Sequence, residues 1–157
     1  MSIRVALYQP DIPQNTGALI RLGACCRVPI EVIEPCGFVW SDRYLRRAGM
    51  DYTDMAVVTR HVSWDAFRVA VSGRLVLLTT RGDTDHTEAN FKSGDILLLG
   101  QETAGVPEKI HRHAALRVRI SMVDGARSLN VALAGAMVLG EALRQVDGFP
   151  GREKKTA

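Results

Sequence analysis

Residues 96–107 read ILLLGQETAGVP, an apolar run that ends in a glutamate between two glycines. The run Ile96 to Leu99 is short, follows Gly94-Asp95, and is apolar at every position. A strand without alternation is covered on both faces, which is the habit of parallel sheets. In such sheets ligands sit beyond the carboxyl ends of the strands. Glu102 is thereby set where binding or chemistry takes place.

Outward from this stretch, apolar strand candidates recur at Ile3–Tyr8, Ile30–Ile33, Ala56–Thr59, Leu75–Thr79 and Val118–Ile120. Helical patterns lie between them at Thr16–Arg27, Ser63–Val71, Pro107–Ala114 and Ser128–Val146. The alternation predicts an α/β domain with a mainly parallel sheet flanked by helices. No repeat or low-complexity linker divides the chain. One domain is expected over residues 1–150, with a disordered basic tail, GREKKTA, at 151–157. Ser63 reads as an N-cap, and Pro107 suits a first helical position with Glu108 beside it. The segment Asn130–Ala142, NVALAGAMVLGEA, is apolar nearly all round and rich in Ala and Gly. A short chain has little other protein to cover every face of such a helix, so a homodimer interface is expected there.

Bulk properties exclude several classes. The longest apolar stretches contain Gly and charges, so no membrane span is expected. The opening MSIRVALYQP lacks the long apolar core of a signal peptide, and a cytoplasmic protein is expected. Cys25, Cys26 and Cys36 form no CxxC and read as reduced thiols. His111-x-His113 has no partner cysteines, so no metal site is expected. Net charge is +3, but sixteen of the twenty basic residues are Arg, the better fork for phosphate and carboxylate. No GxGxxG follows the first strand, and there is no P-loop, no GxSxG elbow and no HExxH.

Three polar clusters in apolar settings remain. The first is Pro10-Asp-Ile-Pro-Gln-Asn-Thr-Gly17, leading to Arg21; here Asn15 or Thr16 could cap a helix, and Arg21 could be a surface arginine. The second surrounds Glu102. The third is Asp124-Gly-Ala-Arg-Ser-Leu-Asn130, in which Ser128 could be the N-cap of the last helix.

Together and in this order, PDIPQNTGALIRL, LLLGQETAGVP and RISMVDGARSLNVALAGAMVLGEAL resemble the three motifs of SPOUT-superfamily RNA ribose methyltransferases. The segments IEPCGFVWSDRYLRRAGMDY and AVVTRH narrow the resemblance to the single-domain branch that methylates the wobble nucleotide of tRNA, the cytidine-34 type. The resemblance implies a C-terminal deep trefoil knot, S-adenosylmethionine as methyl donor, a homodimer, and the anticodon stem-loop of tRNA as partner. It implies donor-binding positions at Leu78, Thr79, Gly100, Gln101, Glu102, Ile120, Met122, Ser128, Leu129 and Asn130. Glycine would let backbone approach the adenosine, and Leu78, Ile120, Met122 and Leu129 would give apolar walls.

The catalytic positions implied are Arg21, Asn15 and Glu102. Glu102 could pair with an arginine, orient a loop N–H or touch the donor; an Arg21–Glu102 or Arg127–Glu102 contact is the favoured expectation. Arginine stays protonated, so Arg21 reads as a clamp on phosphate and developing oxyanion, not as a base. Arg43, Arg46, Arg47 and Arg60 are expected to contact the anticodon stem. Gln101, Ala104, Ser121, Ala132 and Gly140 depart from what members of the family often carry. Two other readings stay open: the same chemistry on another tRNA or ribosomal RNA nucleotide, and a non-catalytic RNA-binding dimer.

Overall fold

The computed structural model describes residues 1–47 and 55–152, apart from the side chains of Tyr44, Arg46 and Arg47. The tail beyond residue 152, expected to be disordered, lies outside the described residues. The described residues form seven strands and five helices: β1 (Arg4–Tyr8), α1 (Pro13–Cys26), β2 (Ile30–Ile33), α2 (Asp42–Arg47), β3 (Val58–His61), α3 (Trp64–Ala70), β4 (Leu75–Leu78), β5 (Thr84–Asp85), β6 (Ile96–Leu99), α4 (Glu108–His113), β7 (Leu116–Arg119) and α5 (Val131–Gln145). They form one sheet in the order β3-β2-β1-β6-β4-β7-β5, and every pairing between these strands is parallel.

Two cores follow from the period of two along each strand. Val5, Leu7, Val76, Leu97 and Leu99 point to one face, where Leu19 and Ile20 of α1 and Val138, Leu139, Ala142 and Leu143 of α5 cover them. Ala6, Tyr8, Leu75, Leu77, Ile96 and Leu98 point to the other, beneath Phe67 of α3 and Ile110 of α4. This double cover explains why β6 is apolar at every position. A Cβ on Gly135 would meet Leu19 Cδ2 and Leu99 Cδ1, each at 3.0 Å. Glycine there lets α5 settle onto α1 and the end of β6 at once.

The expected α/β class and parallel sheet hold, and several boundaries move. β3 starts two residues later than Ala56, and β7 runs Leu116–Arg119, leaving Ile120 past the strand end. The two-residue β5 and the six-residue α2 are additions. Ser63 caps α3 as expected, its Oγ accepting from Ala66 N–H at 3.1 Å. Neither Asn15 nor Thr16 caps α1: the helix begins at Pro13, whose fixed φ suits the first turn, and both residues lie buried inside it. Ser128 does not cap α5. Asn130 does so, its Oδ1 accepting from Ala132 N–H at 2.9 Å and Leu133 N–H at 3.2 Å.

Candidate active site

β1 and β6 are register partners, with Leu7 opposite Leu99, so the segments leaving them emerge side by side. The chain turns off β1 at Gln9, which holds a left-handed φ of 42°, and the Gln9 carbonyl accepts from Gln101 Nε2 at 3.1 Å. After β6 the chain makes a tight loop in which Gln101 and Gly105 exchange both backbone hydrogen bonds, at 2.9 and 2.8 Å. Gly105 sits at φ +65°, and a Cβ on Gly100 would come within 2.8 Å of its Cα. Two glycines therefore permit a turn that residues with side chains would open.

This geometry gives Glu102 its partners. Glu102 Oε2 accepts the Asp11 N–H at 2.9 Å, and Oε1 accepts from Asn15 Nδ2 at 3.3 Å. Asn15 Oδ1 in turn accepts from Asn130 Nδ2 at 2.9 Å. One chain of hydrogen bonds thus joins all three polar clusters and ends on the N-terminus of α5. The expected pairing of Glu102 with Arg21 or Arg127 is not what holds it: among the described residues neither arginine bridges to this carboxylate. The backbone N–H of the adjacent turn and a buried amide are nearer in the fold than either guanidinium. Burial pushes the Glu102 carboxyl up, and the neighbouring Asp11 carboxyl adds to the rise. Asp11 moves the other way, lowered first by its contact with Glu102 and also by the Thr103 hydroxyl, which donates to Asp11 Oδ2 at 2.6 Å.

Beyond the ends of β4, β6 and β7 lies a cleft of about 440 Å³. All ten positions expected to hold the methyl donor line it: Leu78 and Thr79, Gly100 to Glu102, Ile120 and Met122, and Ser128 to Asn130. Asn15 lines it as well. Arg21 does not; it lies exposed on α1, just past the second turn. Reading the sequence missed Ile12, Gly105 and Arg119, and also Val131, Ala134 and Val138, which α5 turns toward the cleft. It also missed the role of Asp11, although that residue lies inside the first quoted motif. Ser121 donates its hydroxyl to Asp85, and Thr87 donates to the same carboxylate through its N–H and Oγ. These contacts hold the Asp85 carboxyl well below its usual range and tie the segment after Ile120 to β5.

Apolar walls, a glycine turn and a few convergent polar groups suit a ligand of nucleoside size, and the cleft volume falls in the range of small-molecule sites. Of the expected RNA-contacting residues, Arg43 is exposed on α2, and the side chains of Arg46 and Arg47 lie outside the described residues. Arg60, on β3, donates from Nε to Glu34 Oε1 at 2.8 Å and from Nη2 to the same oxygen. Among the described residues no helix is long and apolar enough to cross a membrane.

A parallel α/β sheet with its cleft at the strand ends defines a class, and comparison with known proteins gives the family. The chain belongs to the SpoU rRNA Methylase family, whose model matches residues 2–140. A relative from Ancylobacter novellus, named tRNA (cytidine(34)-2'-O)-methyltransferase, is 54% identical over 152 residues, covering 95% of this chain and 96% of its own. A solved structure described as giving insight into the 2-OH methylation of C/U34 on tRNA superposes with a TM-score of 0.88 at 38% identity, covering 94% of this chain and 97% of that one. An AdoMet-bound rRNA methyltransferase from Sinorhizobium meliloti superposes with a TM-score of 0.81 at 27% identity, over 91% of this chain and 56% of that longer one.

Proposed function

We propose that this protein transfers a methyl group from S-adenosylmethionine to the ribose 2′-OH of the wobble nucleotide, position 34, of cytoplasmic tRNA. The observation that carries this reading is the convergence of three separated motifs on one cleft, in a chain with a near-full-length relative of that name at 54% identity. When bound, S-adenosylmethionine supplies a methyl carbon on a positively charged sulfur. Gly100 and Gly105 let backbone approach the nucleoside, Leu78, Ile120, Met122 and Leu129 wall it, and Gln101 and Asn130 supply polar contacts. Glu102 and Asn15 keep these loops in one arrangement, which in-line transfer requires. Arg21 acts from the RNA side as a clamp on the adjoining phosphate and the developing oxyanion. Arg43, Arg46 and Arg47 supply contacts to the anticodon stem.

The active form in this reading is a homodimer, and the C-terminal segments form a trefoil knot. The dimer is supported by α5: one face is buried by Gly135, Val138 and Leu139, while Leu133 is 61% and Met137 47% exposed on the other. Incubating the purified protein with labelled S-adenosylmethionine and bulk tRNA, then mapping the product, tests the activity. Label at the 2′-oxygen of nucleotide 34 is expected; label on a base, or at another ribose, overturns the assignment.

A further inference from the structure

Residues 34–40, between β2 and α2, carry two aromatic rings that no step of methyl transfer uses. The Phe38 and Trp40 rings stack, with centroids 6.4 Å apart and planes 23° from parallel. Trp40 packs against the core on the α1 and α5 side, whereas Phe38 belongs to neither core cluster among the described residues. Over the Trp40 ring lies the guanidinium of Arg60, 4.8 Å from the centroid. Glu34 holds that guanidinium in place by accepting from both Nε and Nη2. Val39, between the two rings, is 85% exposed. The result is a layered stack in which Trp40 is rooted in the core, Phe38 is half-buried and Arg60 is exposed.

The same loop is seated on the active site. Gly37 N–H donates to the Pro10 carbonyl at 2.9 Å. A Cβ on Gly37 would come within 2.5 Å of the Asp11 Cβ, so glycine is what lets the loop lie this close. Asp11 is the residue whose N–H holds Glu102. Stacked rings beside a nucleotide site, on the segment that leads into α2 and its exposed Arg43, have the composition of a single-strand binding surface. Every base has a π-face, so such rings hold unpaired bases with little regard to sequence.

We propose that Phe38 and Trp40 form a stacking platform for an unpaired nucleobase of the anticodon loop that flanks the nucleotide being methylated. The proposal rests on the tRNA reading given under Proposed function. Phe38 is the ring that the base meets, and Trp40 is the ring behind it. The fork of Arg60 is taken by Glu34 and its plane by Trp40, so Arg60 stiffens the platform instead of gripping a phosphate. Holding a flanking base out of the loop stack frees the ribose of its neighbour to enter the cleft.

The test uses the full-length protein and an anticodon stem-loop RNA, intact or made abasic at either nucleotide flanking position 34. Phe38→Ala is expected to weaken binding of the intact RNA by roughly 5- to 150-fold, the cost of one base–aromatic stack. Phe38→Tyr should bind like the wild type, and Phe38→Leu, apolar but without a π-face, should bind like Phe38→Ala. S-adenosylmethionine affinity, measured by calorimetry, should be unchanged in all three and shows that they are folded. One abasic RNA should bind wild type and Phe38→Ala equally. Equal losses on intact and abasic RNA, or full binding by Phe38→Leu, overturn the platform while the wild type still methylates nucleotide 34. Wild-type protein that neither binds nor methylates the intact stem-loop removes the tRNA reading, and the platform falls with it.

Discussion

Asn130 Nδ2 donates to Asn15 Oδ1 at 2.9 Å, joining two side chains 115 residues apart in the sequence. With that oxygen engaged, the Asn15 amide nitrogen is turned to Glu102, to which it donates at 3.3 Å. The orientation of one buried amide is therefore set from both sides, and the amide in turn sets the distance between the loop after β6 and the start of α5.

Asn15→Asp keeps the shape and the acceptor for Asn130 but sets a second carboxylate against Glu102 in place of a donor. Stability at pH 7 should fall by about 1–3 kcal/mol, the cost of a buried group left without its partner. The loss should shrink as pH falls and one of the facing carboxyls takes up a proton. Urea melts over a falling pH series check both statements; an unchanged midpoint at pH 7 removes Asn15 from the bridge.

Glu102 is raised above the ordinary carboxylate range by burial and by Asp11. A folded-state value above the unfolded one means that the native state holds the proton more tightly. Its contribution to stability is therefore fully present below the unfolded value and is lost as pH rises through the folded one. Function runs the other way, because the protonated carboxyl accepts less well from Asn15 and from Asp11 N–H. Single-turnover rates should rise with pH through a midpoint above about 4.3, the usual glutamate value, and this limb should be absent from Glu102→Gln. A wild-type midpoint at the usual value would show that Glu102 titrates as a solvated group.

Arg21→Ala should cut turnover by about 10²- to 10³-fold, the usual cost of one donor to a developing oxyanion, with S-adenosylmethionine affinity nearly unchanged. Arg21→Lys should recover part of the rate by restoring charge without the bidentate fork. If Arg21 were the base, lysine, which loses its proton more readily than arginine, should move the rising limb of the pH profile to lower pH. A clamp leaves the limb in place and lowers only its height.

Ala136→Arg places a charge on α5 between Leu133 and Met137, whose side chains are exposed in the single chain. Buried against a second copy, that charge would have no partner. Sedimentation should report monomers with lost methyl transfer; an unchanged, active dimer would move the interface to another face.

Much of the architecture was legible because strands covered on both faces leave uninterrupted apolar runs, as in Leu75–Leu78 and Ile96–Leu99. What escaped is polar where a hydrophobic pattern was sought. β5 is Thr84–Asp85, which pairs with β7 through its backbone and offers no apolar side chain. α2 reads DRYLRR, and of its side chains Leu45 is the one described as buried. β3 ends in Arg60 and His61; the latter is tolerated because Glu31 faces its Nε2 at 2.7 Å within the sheet. The three motifs of the site were readable as a resemblance, and the positions expected to hold the methyl donor do share one cleft. The partner of Glu102 was not readable, since it depends on Leu7 and Leu99 being in register and on Gln9 turning sharply beside them.

The hydrogen bonds that assemble the cleft span 91, 87 and 115 residues of sequence, from Asp11 and Asn15 to Glu102 and from Asn15 to Asn130. Contacts of such range form late and slowly, because a long loop must close before any of them can reward the closure. In a growing chain the first motif waits for its partners in turn: Glu102 comes with the loop after β6, and Asn130 only with the last helix. The same linkage acts in reverse, since fraying of α5 at Asn130 loosens Asn15 and leaves Glu102 to the Asp11 N–H.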